Sequence, residues 1–282
     1  MTKYPVNKII LFSSVDGPGN RTVIFLQGCN FDCKYCHNPE TRSLCTGCGL
    51  CVPKCPVGAL KKEEKDGITH VIFSPEKCVG CDTCIHTCPH DASPRIRYMT
   101  AAEAFEVIKK QMPYIRGVTV SGGECTLYPA FIRELFSLCK EASLSTFIDS
   151  NGTYDFASDP ELMEVTDGVM LDIKAFSEKD HLAVTACDNK KVLENALFLA
   201  ERGKLFEVRT VVVPTLYDAE ETILETGKLL KDHAGEVRYK IIAYRPMGVR
   251  EAYSHYPVPE QAVLQGYAES LRKMGWRDIV II

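Results

Sequence analysis

Thr22-Val23-Ile24-Phe25-Leu26-Gln27-Gly28-Cys29-Asn30-Phe31-Asp32-Cys33-Lys34-Tyr35-Cys36-His37-Asn38 carries an apolar run straight into three cysteines. A short continuous apolar run suits a parallel strand covered on both faces, which points to an α/β chain. The cysteines, spaced C-x3-C-x2-C, follow that strand at its carboxyl end. Three thiolates on one loop read as metal ligands, and three leave a four-iron cube with one iron open, as a catalytic metal site keeps an open position. The alternative is an incomplete cluster site that a distant cysteine completes. Cys125, Cys139 and Cys187 are available for that; otherwise they read as ordinary buried thiols.

Eight further cysteines form two groups with a single spacing. Cys45, Cys48, Cys51 and Cys55 precede Pro56; Cys78, Cys81, Cys84 and Cys88 precede Pro89. C-x2-C-x2-C-x3-C-P, occurring twice, is the two-cluster ferredoxin pattern, in which the fourth thiolate crosses to the other cluster. The spacing therefore predicts one site from Cys45, Cys48, Cys51 and Cys88, and another from Cys78, Cys81, Cys84 and Cys55. Zinc knuckles usually present separated C-x2-C pairs, and disulfides need an oxidising compartment, so both explain the pattern less well.

Residues 40–98 differ in composition from their surroundings. They hold the eight cysteines and the run Lys61-Lys62-Glu63-Glu64-Lys65-Asp66, which reads as a solvated turn between two similar halves. The expected organisation is residues 1–39 as the first part of a barrel, 40–98 as a ferredoxin-like insertion and 99–282 as the rest. Outside the insertion, apolar runs at Thr22–Leu26, Gly117–Val120, Ser145–Ile148, Gly168–Ile173, Phe206–Val213 and Val237–Ala243 predict strands. Helical patterns separate most of them: one from Thr100, with Glu103 completing a capping box, then about 130–142, 190–202, 219–233 and 259–274. Ile279–Ile282 reads as an edge strand. Six strands in alternation with helices predict a partial barrel, with an open doubly wound sheet as the alternative.

A net charge of −4 gives no basic footprint for nucleic acid. The longest N-terminal apolar run, Ile9–Phe12, is too short for a signal segment or a membrane span. Cluster-type cysteines without a targeting segment suggest a reducing cytoplasm, and exposed iron an anaerobic setting.

The unusual polar residues fall near the carboxyl ends of the predicted strands, where α/β barrels gather their chemistry. These are Ser121-Gly122-Gly123-Glu124, Asp149-Ser150-Asn151-Gly152, Leu171-Asp172-Ile173-Lys174, Arg209 and Tyr244-Arg245. Each has a plain structural explanation: a glycine turn, an Asx-type turn at Asp149 with Asn151-Gly152, a helix cap at Asp172, a solvated Lys174, and Glu207 as the partner of Arg209. Arg209 is the hardest to dismiss, because a guanidinium in a buried strand needs an anion or acceptors. Convergence of six strand ends on one rim favours a single site.

The combination resembles the glycyl radical enzyme activating enzymes of the radical SAM superfamily, the pyruvate formate-lyase activase type. Val15–Arg21, the Cys29/Cys33/Cys36 loop with Tyr35 and His37-Asn38-Pro39, Gly122-Gly123-Glu124, Asp149–Gly152, Leu171–Lys174 and Val208–Pro214 carry the resemblance. It implies a partial (β/α)6 TIM-like barrel with an inserted two-cluster domain. It also implies three [4Fe-4S] clusters and S-adenosylmethionine (SAM), whose amino and carboxylate groups take the open iron. Gly122, Gly123 and Glu124 would hold the methionyl amino group, Tyr35 would lie near the adenine, and Lys174 would contact SAM. Asp149 and Asp172 would help bind a monovalent cation. Asp16 and Arg209 would meet the glycine loop of a partner enzyme, Arg209 beside the cluster cysteines at the reacting centre. Arg245 replaces a histidine of the family. The implied reaction takes one electron from a flavodoxin or ferredoxin, cleaves SAM to methionine and a 5′-deoxyadenosyl radical, and removes hydrogen from a partner's backbone glycine. The rivals are a radical SAM enzyme acting on a small molecule or RNA, and a non-catalytic multi-cluster electron carrier.

Overall fold

The computed structural model describes residues 2–65 and 67–282. Its strands are β1 Tyr4–Ser13, β2 Arg21–Leu26, β3 Leu60–Lys65, β4 Ile68–Phe73, β5 Arg97–Met99, β6 Gly117–Gly122, β7 Ser145–Ser150, β8 Gly168–Asp172, β9 Leu205–Val212, β10 Arg238–Ala243 and β11 Ile279–Ile281. The helices are α1 Thr83–Thr87, α2 Ala101–Lys109, α3 Pro129–Glu141, α4 Pro160–Val165, α5 Glu178–Thr185, α6 Lys190–Glu201, α7 Ala219–Leu229 and α8 Gln261–Lys273.

Nine strands form one sheet in the order β11-β10-β9-β8-β7-β6-β2-β1-β5. From β2 through β6 to β11 all neighbours are parallel and follow chain order. A doubly wound sheet reverses its order at a switch point, so this sequential order belongs to a barrel; among the described residues the sheet's two ends do not pair, so it is a partial one. Strand alternation explains how one sheet serves two purposes. Ile24, Val118, Val120, Ile148, Val169, Leu171, Val208 and Ile241 join the hydrophobic core under the helices. The residues between them, Phe25, Ser121, Asp149, Asp172, Arg209 and Ile242, line the lumen.

The capping box is present: Thr100 accepts from the Glu103 N–H, and the Glu103 carboxylate accepts from the Thr100 N–H. All six predicted strands form, and Ile279–Ile281 is the parallel edge strand. Three features differ from expectation. First, β1 is a ten-residue antiparallel strand whose irregular register with β2, and mixed polarity, hide its period. Second, Arg97 and Tyr98, placed above at the end of the insertion, run on through Met99 as β5 and pair with β1 in the large sheet. Third, Lys61–Lys65 is no turn but most of β3, paired with β4 in a hairpin; Asp66 lies outside the described residues. Charged side chains fit there because β3 is exposed beyond Leu60. Among the described residues, no helix is long and apolar enough to cross a membrane.

The Val15–Arg21 segment is anchored by a fully buried guanidinium. Arg21 donates from Nε to Thr119 Oγ1, from Nη1 to Pro18 O and Ser145 Oγ, and from Nη2 to Val118 O and Ser145 O. Its plane lies over Phe147, 4.5 Å from the ring centroid. Burial lowers its pKa to about 10, with Asp167 opposing. We expect Arg21→Leu to lose about 3–5 kcal/mol in urea unfolding, because it strands several buried acceptors at once; a loss below 1 kcal/mol would contradict this anchoring.

Candidate active site

The lumen opens into a cavity of about 440 Å³, within the range of small-molecule sites. Cys29, Cys33 and Cys36 line it beside Asp16, Tyr35, Gly122, Gly123, Asp149, Asp172, Lys174 and Arg209. Residues from the ends of β2, β6, β7 and β8 and from within β9 thus meet in one place. Cys125 and Cys139 are buried in the core, and Cys187 donates to Asn30 O on the cluster loop. None of the three lines the cavity, so the completing cysteine considered above is absent from it among the described residues. Three convergent thiols in a cavity wall, with space beside them, fit a cluster with one open iron. Burial raises the Cys29 and Cys33 thiols to about 12, so cluster binding must expel their protons.

The glycine pair has a specific steric reason. A Cβ on Gly122, which sits at φ +137°, would lie 2.2 Å from Leu26 O; one on Gly123 would lie 2.2 Å from Gly28 O. The pair lets the end of β6 press against the root of the cluster loop, where Gly123 N–H donates to Leu26 O and Glu124 N–H to Gly28 O. Glu124 itself faces inward and is not among the cavity residues. Its carboxylate accepts from Thr126 N and Oγ1, from Ser150 Oγ and from Asn151 N at 2.5–3.0 Å. Burial pushes its pKa up, and these donors oppose that. Glu124, expected to hold an ammonium group, thus also fastens β6 to β7, with Oε1 taking three of these donors and Oε2 one.

Charges pair across the lumen. Arg209 Nη1 meets Asp149 Oδ1 at 2.8 Å, and its Nε meets Glu207 at 2.6 Å. Glu207 is the expected partner, but the guanidinium also reaches across β8 to β7. Glu207 in turn holds Lys240 at 2.8 Å. Asp149 accepts from Ser121 rather than closing an Asx turn; Asn151 Oδ1 does that, accepting from Thr153 N. Asp172 caps no helix, since α5 is capped by Ser177, and pairs with Lys174 at 2.8 Å. Burial alone would depress the Lys174 ammonium, but Asp172 and the neighbouring thiols outweigh it and raise its pKa. Burial would likewise raise Asp172, yet Lys174 and Arg209 pull it below the ordinary value. Asp149 stays raised, burial exceeding the effect of Arg209. Tyr35 is buried, its hydroxyl has no partner among the described residues, and Lys174 Nζ lies 5.8 Å from its ring centroid.

Arg245, two residues past β10, is exposed, and its carbonyl lies 2.9 Å from His37 Nε2. Arg250 takes the wall position instead and donates to Cys33 O. Only chain reversal after β10 brings it there, so no motif spacing marks it. Lys8 and Arg42 were also missed as cavity residues.

Two smaller cavities lie within residues 40–98. One is lined by Cys45, Cys48, Cys51 and Cys88, the other by Cys55, Cys78, Cys81 and Cys84. Cys51, Leu60 and Cys84 form a small core between them with Val71 and Phe73. Among the described residues no three His, Cys, Asp or Glu side chains gather as tightly as one metal ion requires.

The radical SAM superfamily model matches residues 23–227. A pyruvate formate-lyase-activating enzyme of Streptococcus mutans is 32% identical over 266 residues, covering 90% of this chain and 83% of its own length. A pyruvate formate-lyase 1-activating enzyme of Escherichia coli is 31% identical over 238 residues, covering 83% and 78%. Among solved structures, QueE from Escherichia coli aligns over 99% of this chain and 94% of its own, with a TM-score of 0.53 at 14% identity. That last likeness concerns the fold.

Replacing Glu124 by Gln puts an amide N–H against donors that now find an acceptor. We expect a loss of about 2 kcal/mol in urea unfolding and faster amide exchange at Asn151; unchanged exchange at that amide would remove Glu124 from this bracing role.

Proposed function

The chain belongs to the radical SAM superfamily and, within it, to the glycyl radical enzyme activating enzymes, and from that premise we propose how its site works. The carrying observation is the meeting of Cys29, Cys33 and Cys36 with Asp149, Asp172, Lys174 and Arg209 around one cavity. The three cysteines would hold the cluster that leaves one iron for SAM, and Gly122 and Gly123 present backbone beside it. When bound, the reduced cluster and SAM supply a 5′-deoxyadenosyl radical able to take hydrogen from a backbone glycine Cα of a partner enzyme.

The chain's own residues orient and enclose. Lys8, Arg42, Lys174, Arg209 and Arg250 face Asp16, Glu40, Asp149 and Asp172, a near balance of charge suited to a zwitterionic ligand. Lys174 presents an ammonium beside the Tyr35 ring, where a carboxylate and an adenine face would both find partners. Arg209 is held from both sides by Glu207 and Asp149, so its position does not depend on the incoming backbone. Asp16 stands at another wall, its carbonyl accepting from Thr119 Oγ1, and offers a carboxylate to the N–H groups of a glycine loop. A monovalent cation between Asp149 and Asp172 would share those carboxylates with Arg209 and Lys174.

The two cysteine-lined cavities support two further [4Fe-4S] clusters in the ferredoxin-like insertion, with the crossed ligand division that the spacing predicts. Cys48 and Cys81 are exposed, which suits electron entry from a flavodoxin or ferredoxin-type donor. Chemistry on open iron suits a reducing, oxygen-free cytoplasm.

The test is anaerobic electron paramagnetic resonance on reconstituted, reduced protein with SAM and a candidate glycyl radical enzyme. A glycyl doublet with equivalent 5′-deoxyadenosine is expected, and neither should form with Cys29→Ala. Absence of both from fully loaded wild-type protein would refute the reading; deoxyadenosine alone would reject only that partner.

Iron analysis should give about twelve iron atoms per chain. Cys81→Ala should leave cleavage of SAM by a chemical reductant intact and slow it at least tenfold with a flavodoxin donor. Equal rates with flavodoxin in a folded, otherwise loaded variant would end the relay role.

A further inference from the structure

Four charged side chains from three separated segments close a ring against the cluster loop. Asp32 lies between Cys29 and Cys33, Arg42 and Asp91 lie at the two crossings into the insertion, and Arg250 follows β10. Arg42 Nη1 is 2.7 Å from Asp32 and 3.1 Å from Asp91. Arg250 reaches the same two carboxylates, at 2.7 Å through Nη2 and 3.3 Å through Nη1. It adds a contact that Arg42 lacks, from Nη2 to the carbonyl oxygen of Cys33 at 2.9 Å.

The backbone supports this junction from each side. Ser43 N–H donates to Asp91 O, and a bridge pairs Ser43 with Ala92, so the insertion leaves and returns at one point. His90 and Ala92, on either side of Asp91, line the Cys45/Cys48/Cys51/Cys88 cavity. Gly248 packs so closely that a Cβ would lie 2.8 Å from His37 O, and His37 also meets the Arg245 carbonyl. The turn after β10 therefore follows the cluster loop from His37 back to Cys33. The planar fork of Arg250 suits holding two carboxylates and a carbonyl together, which a lysine ammonium cannot match in fixed geometry.

We propose that Arg250 is a positioning residue that locks the Cys33 turn of the cluster loop to the root of the insertion, and whose charge favours reduction of the cluster held there. The proposal rests on the cluster assignment above, while its structural half does not depend on SAM chemistry. Two effects follow. The fork restrains the amides of Lys34 and Cys36, which donate to Val184 O and Cys33 O. The guanidinium's positive charge stabilises the more negative, reduced cluster, since charge beside a cluster sets its potential.

The experiment compares anaerobically reconstituted wild type with Arg250→Gln, Arg250→Lys and Arg42→Gln. Hydrogen exchange reads residues 32–36, and a spectroscopically monitored redox titration reads the Cys29/Cys33/Cys36 cluster. Arg250→Gln should speed exchange at Lys34 and Cys36 about tenfold. It should also weaken reduction about tenfold, equal to about 59 mV for one electron. Arg250→Lys keeps the charge without the fork, so exchange should rise while the potential stays near wild type. Arg42→Gln loses the same carboxylate pairs but not the Cys33 contact, and should speed exchange less than about threefold. Equal exchange in Arg42→Gln and Arg250→Gln would overturn the positioning role, as would wild-type exchange in Arg250→Lys. Because exchange is read without turnover, a wild type that fails to cleave SAM would refute the proposed function and leave this result standing.

Discussion

Two backbone hydrogen bonds carry the site: Gly123 N–H to Leu26 O and Glu124 N–H to Gly28 O. They pin the end of β6 to the root of the cluster loop at a separation that side chains forbid. Glu124 extends the same fastening, because its carboxylate takes the Asn151 N–H and the Ser150 hydroxyl at the end of β7. The cluster loop is thereby held in one frame with strands that follow it by a hundred residues. A buried carboxylate with four donors is stable where a lone one is not, so this frame tolerates no casual substitution.

The lumen uses charge in a similar way. Arg209, Glu207, Lys240 and Asp149 form a continuous network across β7, β9 and β10, and Lys174 with Asp172 makes a separate pair. Such groups cost desolvation energy and contribute little net stability. Their value is placement: each is fixed before a ligand arrives, so orientation is not lost to side-chain entropy at that moment. The hydrophobic core lies on the other face of the same strands and is free of that polar demand.

Much was legible because its signals are local. The six parallel strands are short apolar runs, α2 has its Thr100–Glu103 box, and the division of eight cysteines into two foursomes follows from spacing alone and recurs in the two cavities. Where expectation failed, a distant partner decided the outcome. β1 takes its place by pairing with β2 through an irregular register, and Lys61–Lys65 is a strand because β4 lies beside it. The backbone path beyond Gly123 turns Glu124 onto β7, a bracing contact that the motif's spacing did not mark. Arg245 and Arg250 illustrate the same limit: five residues apart, one is exposed and the other touches the Cys33 carbonyl, and only the course of the turn distinguishes them.

The sequence by itself determined the grouping of the cysteines, the alternation of strands and helices, and the order in which polar residues reach the strand ends. These depend on neighbours within a few residues, which spacing and periodicity record. Tertiary structure alone decided which of those polar groups enter the cavity, which brace its frame, and which charges close on one another from opposite ends of the chain. Side-chain direction at a strand end depends on the backbone path of the following turn, and that path is set by packing against segments far away in sequence.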